Sequence, residues 1–175
     1  MKTPERKWTT LTRRQPVPNV YDAILALNDE NERKIHIGTD AQIRSKKMVF
    51  ASAIAVLNPG KGGMAYHSKI ASPRQDFASL AQKLFKEVEY SIEIAQALTD
   101  LLEPQYHKNI IVHVDANPNM QWNSSDYHQA LVGWVVGSGF ECLSKPDSWC
   151  ATHVADHAAN GKNIRDGRTR RRQYK

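Results

Sequence analysis

Lys34-Ile35-His36-Ile37-Gly38-Thr39-Asp40 and, farther along, Asn109-Ile110-Ile111-Val112-His113-Val114-Asp115 are the stretches whose reading decides the fold. In the first, Ile35 and Ile37 alternate with polar neighbours, the period of a half-buried strand. The second is a nearly continuous apolar run, which suits a strand buried in the middle of a sheet. Each stretch finishes in aspartate. Between them, residues 79–102 place Leu80, Leu84, Val88, Ala95, Leu98 and Leu102 along one side at helical spacing, with Pro104 as the stop. A helix between two strands is the crossover that parallel neighbours require. If the strands are parallel neighbours, Asp40 and Asp115 meet at the carboxyl edge, where open α/β sheets place ligands. If antiparallel, they sit at opposite edges.

Outward from these stretches, residues 48–57 are apolar and β-branched, Asn58-Pro59-Gly60 and Gly62-Gly63 turn the chain, and residues 64–71 return it. With 34–40 they predict three strands in antiparallel meander order. Asn19 caps a short helix over 20–27. Asn123 or Ser124 caps another that runs through Val136 and closes at Gly137-Ser138-Gly139. A short strand over 140–143, a turn at Lys145-Pro146-Asp147 and a last helix over 148–159 complete the chain. Residues 1–18, which mix charges with Pro4, Pro16 and Pro18, are expected as a flexible basic arm. Residues 19–160 are then one α/β domain, and 161–175 a basic tail.

The 175 residues, 41% of them hydrophobic, suffice for one domain with its own core, which excludes a wholly disordered chain. No apolar run approaches the ~20 residues of a membrane span, and the polar start Met1-Lys2-Thr3-Pro4-Glu5-Arg6 has no signal-peptide stretch. Cys142 and Cys150 make neither a disulfide framework nor a zinc cluster. The expectation is a cytoplasmic protein. Net charge is +6, unevenly placed. Residues 161–175 carry seven basic groups and one acid, residues 1–16 five and one, so the body between them is mildly acidic. Basic ends on an acidic body suit a protein that handles a polyanion. Arg165, Arg168, Arg170, Arg171 and Arg172 are the candidate nucleic-acid contacts, since arginine forks onto phosphate oxygens. Such tails also serve solubility alone.

The acids carry the chemistry. Two clustered carboxylates raise each other's pKa unless a cation lies between them, so Asp40 with Asp115 invites Mg²⁺ or Mn²⁺. Taken singly, either suits the start of a turn. Glu87, between Leu84 and Ser91 on the crossover helix, borders the core-facing stripe, where an unpaired glutamate is costly. An ordinary rim glutamate holding Lys83 or Lys86 is the other reading, and Glu89, turned farther out, is the second choice. The last helix offers His153-Val154-Ala155-Asp156-His157. Hard oxygen ligands favour Mg²⁺ there and leave His153 and His157 as proton carriers or bystanders. Asp147 is a helix cap or a ligand.

The order ββ β α β α β α, with acids in the first strand, first long helix, fourth strand and final helix, resembles the ribonuclease H-like fold. More narrowly, Ile37-Gly38-Thr39-Asp40-Ala41-Gln42, Val112-His113-Val114-Asp115, Lys145-Pro146-Asp147-Ser148 and Val154-Ala155-Asp156 resemble the YkuK-like group within it. The resemblance covers about residues 33–160. It implies a five-stranded mixed sheet, the first three strands antiparallel, with helices on both faces. It further implies phosphodiester cleavage with Mg²⁺ or Mn²⁺ held by Asp40, Glu87, Asp115 and Asp156. The stretch 117–123 is longer than the tight turn expected after Asp115, and the basic handle by which some ribonucleases H grip a hybrid duplex has no counterpart.

Three functions compete. A nuclease would cut RNA, RNA/DNA hybrid or structured DNA. A non-catalytic nucleic-acid-binding module would use Trp122, Trp134 and Trp149 as stacking platforms. A small-molecule phosphotransferase is the third, its P-loop version excluded by the missing Gly-Lys-Ser/Thr motif. Four acids at matching elements favour the nuclease, because a binder of polyanions gains nothing from clustered negative charge.

Overall fold

The computed structural model describes residues 6–27, 33–58, 60, 62–121 and 123–155. Strands β3 (Lys34–Arg44), β4 (Lys47–Asn58) and β5 (Gly62–Pro73) form the expected antiparallel meander. The β4–β5 turn holds Gly60 at φ +74° and Gly62 at φ +91°, values that cost a residue without Cβ nothing. Helix α2 (Leu80–Thr99) crosses over next. Its start is fixed reciprocally: Gln82 N–H donates to Ser79 Oγ and Ser79 N–H to Gln82 Oε1. It delivers the chain to β6 (Ile110–Val114), parallel to β3, and α3 (Ser125–Gly137) delivers it to β7 (Glu141–Ser144), parallel to β6. The fold is mixed α/β, and Asp40 and Asp115 do lie on neighbouring parallel strands.

The sheet has seven strands rather than five. Trp8–Thr10 (β1) and Pro16–Val17 (β2) add to the free edge of β5, giving the order β2-β1-β5-β4-β3-β6-β7. Trp8, only 5% exposed, anchors this extension in the main core, and Pro16 sits on the outermost strand, where a missing N–H leaves no ladder incomplete. β3 is also longer than expected. It runs past Asp40 to Arg44, because Ala41–Arg44 still pair with β4 after β6 has ended.

One face of the sheet, with Ile35, Ile37, Ile54, Val56, Val112 and Val114, packs against α2, α3 and the short helix α1 (Val20–Leu25) in a single apolar cluster. Asn19 caps α1 as expected, and Ser124 occupies the N-cap position of α3 without a side-chain cap bond. The Ser124 hydroxyl instead accepts the Asn117 N–H at 3.1 Å, fastening the long loop after Asp115. On the opposite face the expected last helix is represented by a π-helical segment, Cys150–Ala155; its remainder lies outside the described residues. The segment presses on β3 so closely that Gly38 faces the Ala151 backbone, and a Cβ there would stand 2.5 Å from Ala151 N. Helices therefore cover both faces.

Candidate active site

β3 outruns its parallel partner. Pairing with β6 ends at Gly38 opposite His113, and the same register carried two residues on sets Asp40 beside Asp115, both on the face that Cys150–Ala155 covers. Asp40 is buried and Asp115 partly so. From the helical face, Glu87 of α2 reaches the same opening, its Oε1 accepting the Ala41 N–H at 2.8 Å. The Ser91 hydroxyl, within 2.9 Å of Thr39 Oγ1 and 3.0 Å of the Glu87 carbonyl, fixes the register of α2 on β3 that makes this contact possible. Three of the four expected acids are thus drawn together.

Two lysines neutralise them. Lys83, one turn before Glu87, places Nζ 3.1 Å from Glu87 Oε1 and 3.9 Å from Asp40 Oδ1. Lys145 places Nζ 2.8 Å from Asp115 Oδ1, which also accepts the Thr152 hydroxyl at 3.0 Å. Burial pushes the Glu87 carboxyl up to about 8; Lys83 pulls it back, while Asp40 and Asp115 push it further. Burial pulls the Lys83 ammonium down, but Glu87, Asp40 and Asp115 together outweigh it and leave its pKa raised. Lys83 therefore stays charged while the deepest acid of the cluster holds a proton at neutral pH.

The oxygen-only donor set is the chemistry of a hard divalent ion. Glu87, raised first by burial and further by Asp40 and Asp115 despite an ammonium at 3.1 Å, is a buried acid that a nearer cation would ionise. In donor chemistry the residues fit Mg²⁺ or Mn²⁺. As they stand, ammonium groups are paired with the carboxylates, and among the described residues no three acids, histidines or cysteines are close enough to ligate one ion.

The other expected residues lie elsewhere. Glu89 turns outward onto Lys86 at 2.8 Å. Asp147 is exposed in the turn after β7, and the buried Ser148 beside it, not Asp147, makes the side-chain contact that opens the next segment, 3.1 Å from Thr152 Oγ1. His153 is exposed. Asp156, His157, Trp122 and the arginines of the tail fall outside the described residues. Trp134 tilts against Phe85 at the rim of the core, and Trp149 packs on the rings of His36 and His113.

A family model described as ribonuclease H-like matches residues 19–160, most of the chain. The chain belongs to the ribonuclease H-like family. Among solved structures it is similar to the ribonuclease H1 of the halophilic archaeon Halobacterium salinarum NRC-1, at 17% identity over 74% of this chain and 99% of that one, with a TM-score of 0.39. No curated protein matches it. Within the family match, sequence reasoning missed Lys145 and Thr152 as partners of Asp115. Lys145 read as an ordinary turn residue, and Thr152 carries no signal until β6 and the last segment are seen side by side. It also missed the buried contact of His36 Nδ1 with His113 Nε2 at 2.8 Å. Burial, followed by His36, pulls the His113 pKa down to about 3, so its ring stays neutral. Both histidines stood in the deciding stretches, on the strand positions that share a face with the acids. No helix among the described residues is long and apolar enough to cross a membrane.

Proposed function

We propose that this protein is a divalent-metal-dependent nuclease that hydrolyses phosphodiester bonds in RNA, RNA/DNA hybrid or structured DNA. The observation that carries the reading is the convergence of Asp40, Glu87 and Asp115 at one opening of the sheet. Three acids gathered at one opening repel one another, and a divalent cation relieves that repulsion. Asp156, the residue directly after the described segment, is the fourth proposed ligand. Bound there, Mg²⁺ or Mn²⁺ supplies charge stabilisation at the scissile phosphate and a water of lowered pKa. The residues of the chain do the rest. Thr152 orients Asp115, the Ala41 amide orients Glu87, and Lys83 and Lys145 move off their carboxylates to face substrate phosphate. The arginines of the tail add attraction for the backbone that carries no sequence information.

A second reading, a non-catalytic nucleic-acid-binding module, is favoured by one specific observation: the two lysines already neutralise the acids. Labelled RNA, hybrid duplex, single-stranded DNA and a four-way junction, each with Mg²⁺, Mn²⁺ or chelator, separate the two. Cleavage of any substrate that needs metal and disappears in Asp40→Asn is the expected result. Metal-dependent turnover nowhere in the panel, with binding retained, establishes the module instead.

A further inference from the structure

Among the described residues, the Cys150–Ala155 segment covers only part of its face of the sheet. It packs over Gly38, Ala53 and Ala55, and Leu11 packs on Ala51. Beyond them the floor continues through Gln42, Val49 and the exposed Ala71, which share that face by register. Cross-strand partners share a face, and the row Gln42–Val49–Ala71, next along the strands from the covered Ala51, therefore runs from beside Asp40 to beside the exposed Lys69 two strands away, roughly 10 Å at ordinary strand spacing. Arg44 and its partner Lys47 stand on the same face at the far end. Arg14, held at φ +51° in the turn between β1 and β2, completes the rim: its charge and that of Arg44 bear on Lys69, whose pKa is lowered by burial first and by these two next. Strands β1, β4 and β5 contain no acidic residue. Cations gathered over a floor of small side chains draw a polyanion down onto the sheet.

We infer that this floor, open among the described residues and rimmed by Arg14, Arg44, Lys47 and Lys69, is the track that holds the sugar–phosphate backbone of a nucleic-acid strand as it leaves the acids at Asp40 and Asp115. The inference rests on the nuclease reading for its direction, and it places the grip on the sheet itself rather than on the tail alone. The small side chains of Val49 and Ala71 let the backbone approach the sheet.

The test is a salt titration of binding, by fluorescence anisotropy, with labelled single-stranded RNA, single-stranded DNA and a hybrid duplex, on the full chain carrying Asp40→Asn. Lys69→Glu with Arg44→Glu is expected to weaken binding by about tenfold or more and to flatten the log–log salt slope by nearly one for each phosphate that is no longer neutralised. Lys69→Gln with Arg44→Gln should move both in the same direction by less. The control is Lys108→Glu, exposed beside the opposite end of β6, with the same charge change per residue; it should leave affinity within about twofold. An effect confined to one probe supports the track and names its strand. Equal weakening by Lys69→Glu alone and Lys108→Glu overturns it in favour of net charge, as does an unchanged salt slope or a wild-type-like affinity in the double variant. The two readings fail separately: wild type that cuts nothing yet binds through the track ends the nuclease reading, whereas metal-dependent cleavage with track-independent binding ends this one.

Discussion

Replacing Glu87 by glutamine should make the metal-free protein more stable, not less. Glu87 is 4% exposed, and its carboxyl is pushed from 4.5 up to about 8 by burial and by the charges of Asp40 and Asp115 against the pull of Lys83. Between those two pH values the native protein keeps a proton that the unfolded chain has released. Stability therefore falls as pH rises through the window and levels off above about 8. At about 1.4 kcal/mol per pH unit, the loss is on the order of 3 kcal/mol by neutral pH and 5 kcal/mol at the upper end. Glutamine mimics the protonated carboxyl, and its amide oxygen still accepts from Ala41 N–H and Lys83, so the variant escapes the loss.

The assay is urea denaturation of wild type and Glu87→Gln in chelator, at pH values near 5 and near 8. The two proteins should be close in stability at the lower pH, and the variant should lead by several kcal/mol at the higher. Addition of Mn²⁺ should then raise the wild type and leave the variant unmoved, because a ligand stabilises only the form that binds it. If wild type matches or exceeds the variant at both pH values, the carboxylate is ionised and paired with Lys83 throughout. The case for an acid awaiting a cation then falls.

Gly38→Ala should cost about 1–3 kcal/mol, since its Cβ would stand 2.5 Å from Ala151 N and the Cys150–Ala155 segment must shift. Because Thr152 shifts with it, cleavage should drop by more than the melting temperature explains, and full activity in a destabilised Gly38→Ala would refute the link. Asp115→Asn removes the partner of Lys145, a half-exposed pair worth under about 1 kcal/mol, so thermal melting should change little while metal-dependent cleavage is lost. His113, neutral in the fold with a pKa near 3 against 6.5 in the unfolded chain, contributes stability that is complete above pH 6.5 and is lost as pH falls towards 3. That is about 2 kcal/mol by pH 5, and His113→Gln should flatten the acid limb of the stability profile; an unchanged limb refutes the assignment.

How much of this was legible follows from range. Elements set by local pattern were readable: the Asn19 cap, the 84–88–95–98 stripe of α2 and the apolar run of β6 each decide their own structure within a few residues. The parallel placement of Asp40 and Asp115 was readable because a crossover helix leaves few other solutions. Trp8–Thr10 was not. Three residues among prolines and charges carry no periodicity, and what makes them a strand is the free edge of β5, invisible without the sheet. Glu87 was readable as a border position, and so was Lys83 as its partner one turn away. Lys145 and Thr152 are set by contacts across the whole second half of the chain, and nothing near them in sequence points to Asp115.

The asymmetry of the ion pairs supports the proposed metal site. The acids are fixed: Asp40 by its strand, Glu87 by the Ala41 amide, Asp115 by Thr152. The lysines are the more exposed partners, 26% for Lys83 and 33% for Lys145 against 4% for Glu87 and 18% for Asp115, and they end flexible four-carbon stems. Exchange of either ammonium for another cation needs side-chain rotation only. Arg6 supplies the contrast within the same protein. Its guanidinium is the buried member of its pair, 8% exposed against 32% for Glu93, lies over the Tyr90 ring and donates to Ser52 Oγ. There the cation is locked in place and braces the fold. At the carboxylate cluster the order is reversed, with more exposed lysines over more buried acids, the arrangement that the proposed exchange of an ammonium for a metal ion needs.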